Sequence, residues 1–99
     1  MNEDQNEKIE AQVLEPEVQD KELISGEFLK KTRQGKNMSL AEISKATRIG
    51  AHYLQAIEDE DLSAFPARVY LKGFLRQYAK HLGLDPEVIT TGYLRHKKN

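Results

Sequence analysis

Phe65-Pro66-Ala67-Arg68-Val69-Tyr70-Leu71-Lys72-Gly73-Phe74-Leu75-Arg76-Gln77-Tyr78-Ala79 is the stretch that decides the fold of this 99-residue chain. Pro66 interrupts whatever precedes it, and beyond it the apolar residues recur at helical spacing. At about 100° per residue, Leu71, Leu75, Tyr78 and Leu82 fall within roughly 60° of one another and form a core stripe. Tyr70, Phe74, Gln77 and His81 make a second, narrow stripe beside it, while Lys72, Arg76 and Lys80 take the far, solvated side. The spacing predicts a helix over 67–82. An aromatic stripe on a basic helix points to a binding module rather than to catalysis.

Downstream, Gly83 is a helix C-cap with Leu84 as the hydrophobic contact after it. Asp85-Pro86-Glu87 then reads as an N-cap, a first-position proline and a first-turn acid, opening a last helix that runs to about Leu94. Residues 95–99 read as a basic tail. Upstream, Ser25 is the expected N-cap of a first helix that ends near Lys36 and buries Phe28 or Leu29 with Thr32. Asn37 tolerates the left-handed conformation that closes it. Ser39 stands at capping-box spacing from Glu42 and opens a second helix with Leu40, Ile43 and Ala46 on its inner face. Arg48-Ile49-Gly50 is a tight turn, and a third helix over 51–59 points Leu54 and Ile57 inward. Leu62 and Phe65 pack in the loop before Pro66. The second and third helices with their turn form a helix-turn-helix. No alternating or Val/Ile/Thr-rich strand run is present, so the expected class is all-α, with five helices over 23–94.

Length and composition permit one small core. A net charge of −1 conceals an asymmetry: residues 1–27 carry nine acids against Lys8 and Lys21, a net −7, whereas seven cations against Asp85 and Glu87 give residues 66–99 a net +5. Residues 1–22, acidic and poor in large apolar side chains, are expected to form a disordered tail, because ordering them costs more chain entropy than their burial returns. The absence of cysteine excludes a disulfide framework and thiolate metal sites, and makes the cytoplasm the default compartment. No apolar run approaches the roughly 20 residues that span a bilayer.

The blocks Ser39-Leu40-Ala41-Glu42, Thr47-Arg48-Ile49, Tyr53-Leu54, Ile57-Glu58, Phe65-Pro66, Tyr70 to Arg76, Tyr78-Ala79 and Leu82 to Asp85 together resemble the N-terminal domain of the RodZ cell-shape protein family. The likeness covers residues 23–94, and its specific part lies in the blocks from Tyr70 onward. It implies a five-helix, λ-repressor-like fold that binds the actin-like protein MreB. It also implies that Tyr70, and Phe74 one turn later, occupy the aromatic contact positions; Lys72 and Arg76, read from the residues themselves, are the neighbouring cations that would steer an acidic partner. Family members continue through a basic juxtamembrane stretch, a membrane helix and a periplasmic part, so the resemblance makes this the cytoplasmic part of an inner-membrane protein or a stand-alone relative. Two positions depart from the family pattern. Asn37 stands where glycine is frequent, and Gly50 where a larger polar residue is frequent, with a cost of about 1 kcal/mol if Gly50 is helical.

Each reading has a plainer competitor. Tyr70 and Phe74 can simply widen the core stripe, and Lys72, Arg76 and Lys80 can be an ordinary solvated face. The helix-turn-helix itself suggests DNA, with Arg48, His52, Tyr53 and Gln55 at the positions that approach a major groove. Against that, Glu58, Asp59, Glu60 and Asp61 follow at once and would repel phosphates, although Lys30, Lys31, Arg33 and Arg48 remain as backbone contacts. The few charges of Arg95 to Lys98 in the basic tail would hold anionic lipid only marginally. The three histidines lie on separate elements without metal-ligand spacing, and no nucleophile constellation or phosphate loop occurs, so neither an enzyme nor a cofactor is implied.

The core stripe gives a direct test. Leu75→Ala is expected to cost about 2–5 kcal/mol of stability, measured by urea denaturation followed by circular dichroism.

Overall fold

The structure is a computed structural model that describes residues 23–98, with side chains through Arg95. The acidic residues 1–22, expected to be a disordered tail, lie outside the described residues. Five α-helices and one short 3-10 turn follow in order: α1 (Gly26–Gly35), α2 (Leu40–Thr47), α3 (Ala51–Asp59), the turn Leu62–Ala64, α4 (Arg68–His81) and α5 (Pro86–Lys98). The fold is all-α, as the periodicity required, and no strand occurs among the described residues.

The helix ends follow local chemistry. Ser25 Oγ accepts from the Phe28 amide at 3.0 Å. Ser39 and Glu42 form the reciprocal capping box, each side chain accepting from the other's backbone N–H. Asp85 Oδ1 accepts from the Glu87 and Val88 amides, with Pro86 as the first helical residue. Gly83 takes φ +78° and ends α4 in a Schellman motif, in which the Leu84 amide donates to the Ala79 carbonyl and the Gly83 amide to that of Lys80. Asn37, at φ +58°, ends α1 in the same way, its own amide donating to the Gln34 carbonyl and that of Met38 to Arg33.

Three expectations change. Ala46 is exposed, not inward. Thr47, four residues on from Ile43, turns toward the core side and its hydroxyl bonds back to the Ile43 carbonyl, whereas Ala46 lies about 60° to the other side of Ile43 and faces solvent. Gly50 is the residue before α3, at φ −54°, so its glycine costs α3 nothing; the left-handed residue of the α2–α3 turn is Arg48, at φ +65°. Finally, α5 continues to Lys98 instead of ending near Leu94. Arg95 to Lys98 contain no helix breaker, and cations are favoured at a helix C-terminus by its dipole.

The core is one cluster joining Ile24, Leu29, Ile43, Ile49, Leu54, Ile57 and Phe65 to Leu71, Leu75, Tyr78, Leu82, Ile89 and Tyr93. The predicted stripe of α4 supplies its centre, and α5 packs extensively along α4. At the C-terminal end of α3 the packing becomes polar. Glu58 has a fully buried side chain, and Arg33 of α1, with only 11% of its side chain exposed, holds it at two points: Nε donates to Oε2 at 2.7 Å and Nη2 to Oε1 at 3.1 Å. Arg33 Nη1 donates to the Met38 carbonyl at 2.8 Å, and the Tyr78 hydroxyl of α4 donates to Glu58 Oε2. Nearby, the Tyr93 hydroxyl of α5 donates to the Ile57 carbonyl at 2.8 Å, and Glu60 accepts from the Gly26 amide at 2.6 Å. Gly26 is needed there, since a Cβ would lie 2.1 Å from the Glu58 carbonyl oxygen.

Removing one member of a buried ion pair strands its partner charge, so Glu58→Gln is expected to cost about 3–5 kcal/mol, whereas the joint replacement of Arg33, Glu58 and Tyr78 by Met, Leu and Phe recovers most of that loss; urea midpoints of the two variants decide this. Burial, followed by the hydrogen bond to Glu58 and that residue's charge, pushes the Tyr78 hydroxyl well above the usual tyrosine range, and burial does the same at Tyr93. Above about pH 10 the unfolded chain releases these protons while the folded chain retains them. Stability is therefore fully present below that pH and lost above it, seen as a melting temperature that falls on alkaline titration and falls less in a Tyr78→Phe variant.

Candidate functional site: an aromatic ladder between α3 and α4

The sequence stripe Tyr70–Phe74 does not stand alone. Packing α4 against α3 brings five rings into a continuous ladder. His52 and Tyr53, adjacent in the first turn of α3, have ring centroids 4.1 Å apart. Tyr53 stacks on Phe65 at 5.3 Å and meets Phe74 at 5.0 Å, Phe65 lies 6.2 Å from Phe74, and Tyr70 ends the ladder 6.3 Å from Phe74. These spacings and tilts are those of offset, tilted ring contacts.

The ladder grades from inside to outside. Phe65 is buried, Tyr53 and Phe74 are half-buried against the core, and Tyr70 is 51% exposed. Phe74 is thus both a core residue and a support that holds the Tyr70 ring. Val69, 69% exposed, extends the apolar surface at the start of α4. Pro66 forces the chain to leave the short Leu62–Ala64 turn in extended form, and Ala67, also extended, delivers α4 with Tyr70 in its first turn.

The basic residues expected beside the aromatics lie elsewhere. Two residues from Tyr70 and from Phe74 the helix has turned by about 200°, so Lys72 and Arg76 face the α5 side. Arg76 forms an ion pair with Glu87 of α5. Lys72 lines a groove with Glu87, Thr90, Thr91, Leu94 and Arg95. Tyr70 and Phe74 are therefore brought together, and Lys72 and Arg76 form a separate set behind them.

The residues considered for DNA are divided as well. Arg48 and His52 are exposed, but Tyr53 is packed into the ladder, and Gln55 donates to both carboxylate oxygens of Asp59 at 3.2 Å. Arg33 is committed to Glu58. The acidic run also differs from its expected form: Glu58 points inward and Glu60 caps α1, leaving Asp59 and Asp61 on the surface. Sequence reading missed Tyr53, Phe65 and His52 as members of one surface with Tyr70, because their contact depends on how α3, the loop and α4 pack. No cluster of His, Asp and Glu that could hold a metal occurs among the described residues. No helix among them is long and apolar enough to cross a membrane.

The fold and this surface define a helix-turn-helix domain. The profile of the helix-turn-helix domain family matches residues 28–89. The chain is 34% identical over 68 residues to the cytoskeleton protein RodZ of Streptococcus pneumoniae and 36% identical over 62 residues to the membrane protein YmfM of Bacillus subtilis, matches that take in 69% and 63% of this chain. It spans only 25% and 20% of the lengths of those two curated relatives. Among solved structures it resembles YmfM of Staphylococcus aureus, described as a candidate DNA-binding membrane protein, with a TM-score of 0.65 and 29% identity over 76% of this chain and 88% of that one. The chain belongs to the RodZ-type helix-turn-helix domain family.

Proposed function

We propose that this domain is a cytoplasmic adaptor that binds an actin-like filament protein of the MreB type, and that the contact is made by the Tyr70 end of the aromatic ladder with Phe74 as its support. The observation that carries this reading is an exposed tyrosine set against Phe74, which is itself backed by Tyr53 and Phe65. Binding energy concentrates in such pre-positioned aromatics, because little side-chain entropy remains to be lost on association. The name of the pneumococcal relative, a cytoskeleton protein, supports the same class of partner. Lys72 and Arg76 contribute as a basic flank that steers an acidic partner, and with Lys80 they leave α4 with cations and no acid. The description of the Bacillus subtilis relative as a membrane protein supports a place for this domain on the cytoplasmic side of a membrane-anchored chain. Nothing in the ladder calls for a cofactor, and its chemistry is that of a contact rather than of a reaction.

DNA binding is the second reading, and two observations favour it. The Staphylococcus aureus neighbour is described in those terms, and the internal pairing of Glu58 and Glu60 removes half of the acids that would have repelled phosphates. What works against it is the first turn of α3, where Tyr53 is packed away, Gln55 is turned onto Asp59, and His52 is left to read a base edge.

Fluorescence anisotropy of the labelled domain against purified MreB-type protein and against random duplex DNA, each at two salt concentrations, separates the two readings. Tyr70→Ala is expected to weaken filament-protein binding by about thirtyfold, the effect of a 2 kcal/mol hot spot, with the melting temperature nearly unchanged. Normal binding by Tyr70→Ala removes the proposed site. Tight DNA binding that falls steeply with salt, with no response to the filament protein, establishes the second reading instead.

A further inference from the structure

Gly73 lies in the middle of α4, where a glycine lowers helix stability relative to alanine, and the domain itself makes no use of it. A Cβ placed on Gly73 meets nothing within 4 Å, in contrast to Gly26, where a Cβ collides with the backbone of α3. Its backbone needs no positive φ, unlike Gly83. Gly35, the other glycine with open space around it, is the last residue of α1, a position where glycine is ordinary. Gly73 is thus a helix-interior glycine without an intramolecular reason, whereas Gly92, the glycine within α5, is buried where the Ile24 amide reaches its carbonyl at 3.1 Å.

Its surroundings supply an intermolecular one. On the helix surface Gly73 neighbours Val69 and Tyr70, one turn before it, and Gln77, one turn after. Val69 and Tyr70 are two of the three large apolar residues left exposed among the described residues. Gly73 is also the floor of a shallow groove of about 540 Å³ walled by Arg76, Gln77, Lys80 and Pro86. Being helical, Gly73 has its N–H and C=O occupied within the helix and offers a partner no hydrogen bond; it offers room. Room between an apolar ridge and a cationic wall suits the close approach of another helix, as small residues do where helices cross. It does not suit phosphates, which are held by donors.

We propose that Gly73 is the floor of a docking notch in which an acidic helix of the partner crosses α4 in near backbone contact, with Val69 and Tyr70 on one side and Arg76 and Lys80 on the other. The charge of the occupant follows from the notch, whose wall carries Lys80 and Arg76, the latter also paired with Glu87 of α5. This rests on the filament-protein reading above and adds to it the element that Gly73 admits.

The notch predicts opposite signs for folding and binding. Gly73→Ala should raise the melting temperature by roughly 4–8 °C, the effect of about 1 kcal/mol in a domain of this size. It should also weaken binding to MreB-type protein by about tenfold, and Gly73→Gln should weaken it further. A Gly73→Ala domain that melts higher but binds within twofold of the parent overturns the notch, while loss of binding in Tyr70→Ala alone would leave the adaptor reading standing. If the parent domain fails to bind the filament protein, a synthetic acidic helix-stabilised peptide, titrated while the amide signals of Val69, Gly73 and Gln77 are followed by NMR, decides the notch by itself. Shifts lost in Gly73→Ala support it, and the absence of shifts overturns it. Binding to duplex DNA that is lost in Gly73→Ala overturns the choice of a helix as occupant.

Discussion

Glu58 is a carboxylate without exposed side-chain surface, and three helices are arranged around its requirement for partners. An ionised carboxylate taken from water costs several kcal/mol unless charge and hydrogen bonds replace its hydration. Arg33 from α1 and Tyr78 from α4 provide that replacement, and each adds a constraint of its own. Arg33 also holds the Met38 carbonyl, which fixes the α1–α2 connection, and Tyr78 lies in the core stripe of α4. The same end of α3 accepts the Tyr93 hydroxyl from α5 and receives the first turn of α1 at the Gly26 contact. Every other helix except α2 therefore meets the C-terminus of α3 through a specific polar or close-packed contact. A network of this kind contributes less to net stability than to the choice of a single arrangement, since displaced helices would strand its charges.

That arrangement sets the surface. With the C-terminal end of α3 pinned to α1, α4 and α5, its first turn is held beside α4, and His52 and Tyr53 meet Phe65 and Phe74 there. The exposed ring of Tyr70 depends on this support, because Phe74 is wedged between it and Tyr53. The polar network and the aromatic ladder lie at opposite ends of the α3–α4 contact, one orienting the pair and the other presenting it to solvent.

Much of this was legible in the sequence, and the exceptions have physical causes. The stripe of α4, the capping box, the Asn37 and Gly83 terminations and the Asp85-Pro86 start depend on neighbours within a few residues, so local rules found them. Glu58 is the instructive miss. In the sequence it opens an acidic run, Glu58 to Asp61, and reads as surface. Yet it stands four residues after Leu54 and one after Ile57, inside the inward arc of α3, and a buried tyrosine was already expected at position 78. Periodicity placed it inward and composition placed it outward; tertiary pairing with a distant arginine decided the matter. Lys72 and Arg76 are a different case. Their separation from Tyr70 and Phe74 follows from the wheel alone, and only their closeness in sequence suggested a joint site.

The Glu58 pairing bears on function in both directions. It withdraws an acid from the surface that DNA would approach, and it withdraws Arg33, which would have contacted phosphate, so the two losses offset one another in charge. What they leave is unequal in kind. Around α3 the exposed polar side chains are His52, Gln55 and Asp59, and two of these bond to each other. Around α4 the exposed set combines Tyr70 and Val69 with cations and a glycine that fills no internal need. Recognition of a duplex depends on donors aimed at phosphates and base edges, whereas recognition of a protein depends on apolar area, shape and a charged rim. The helix-turn-helix of this chain keeps its architecture, and the exposed apolar residues Val69 and Tyr70 lie one helix further along, on α4, where the proposed contact is placed.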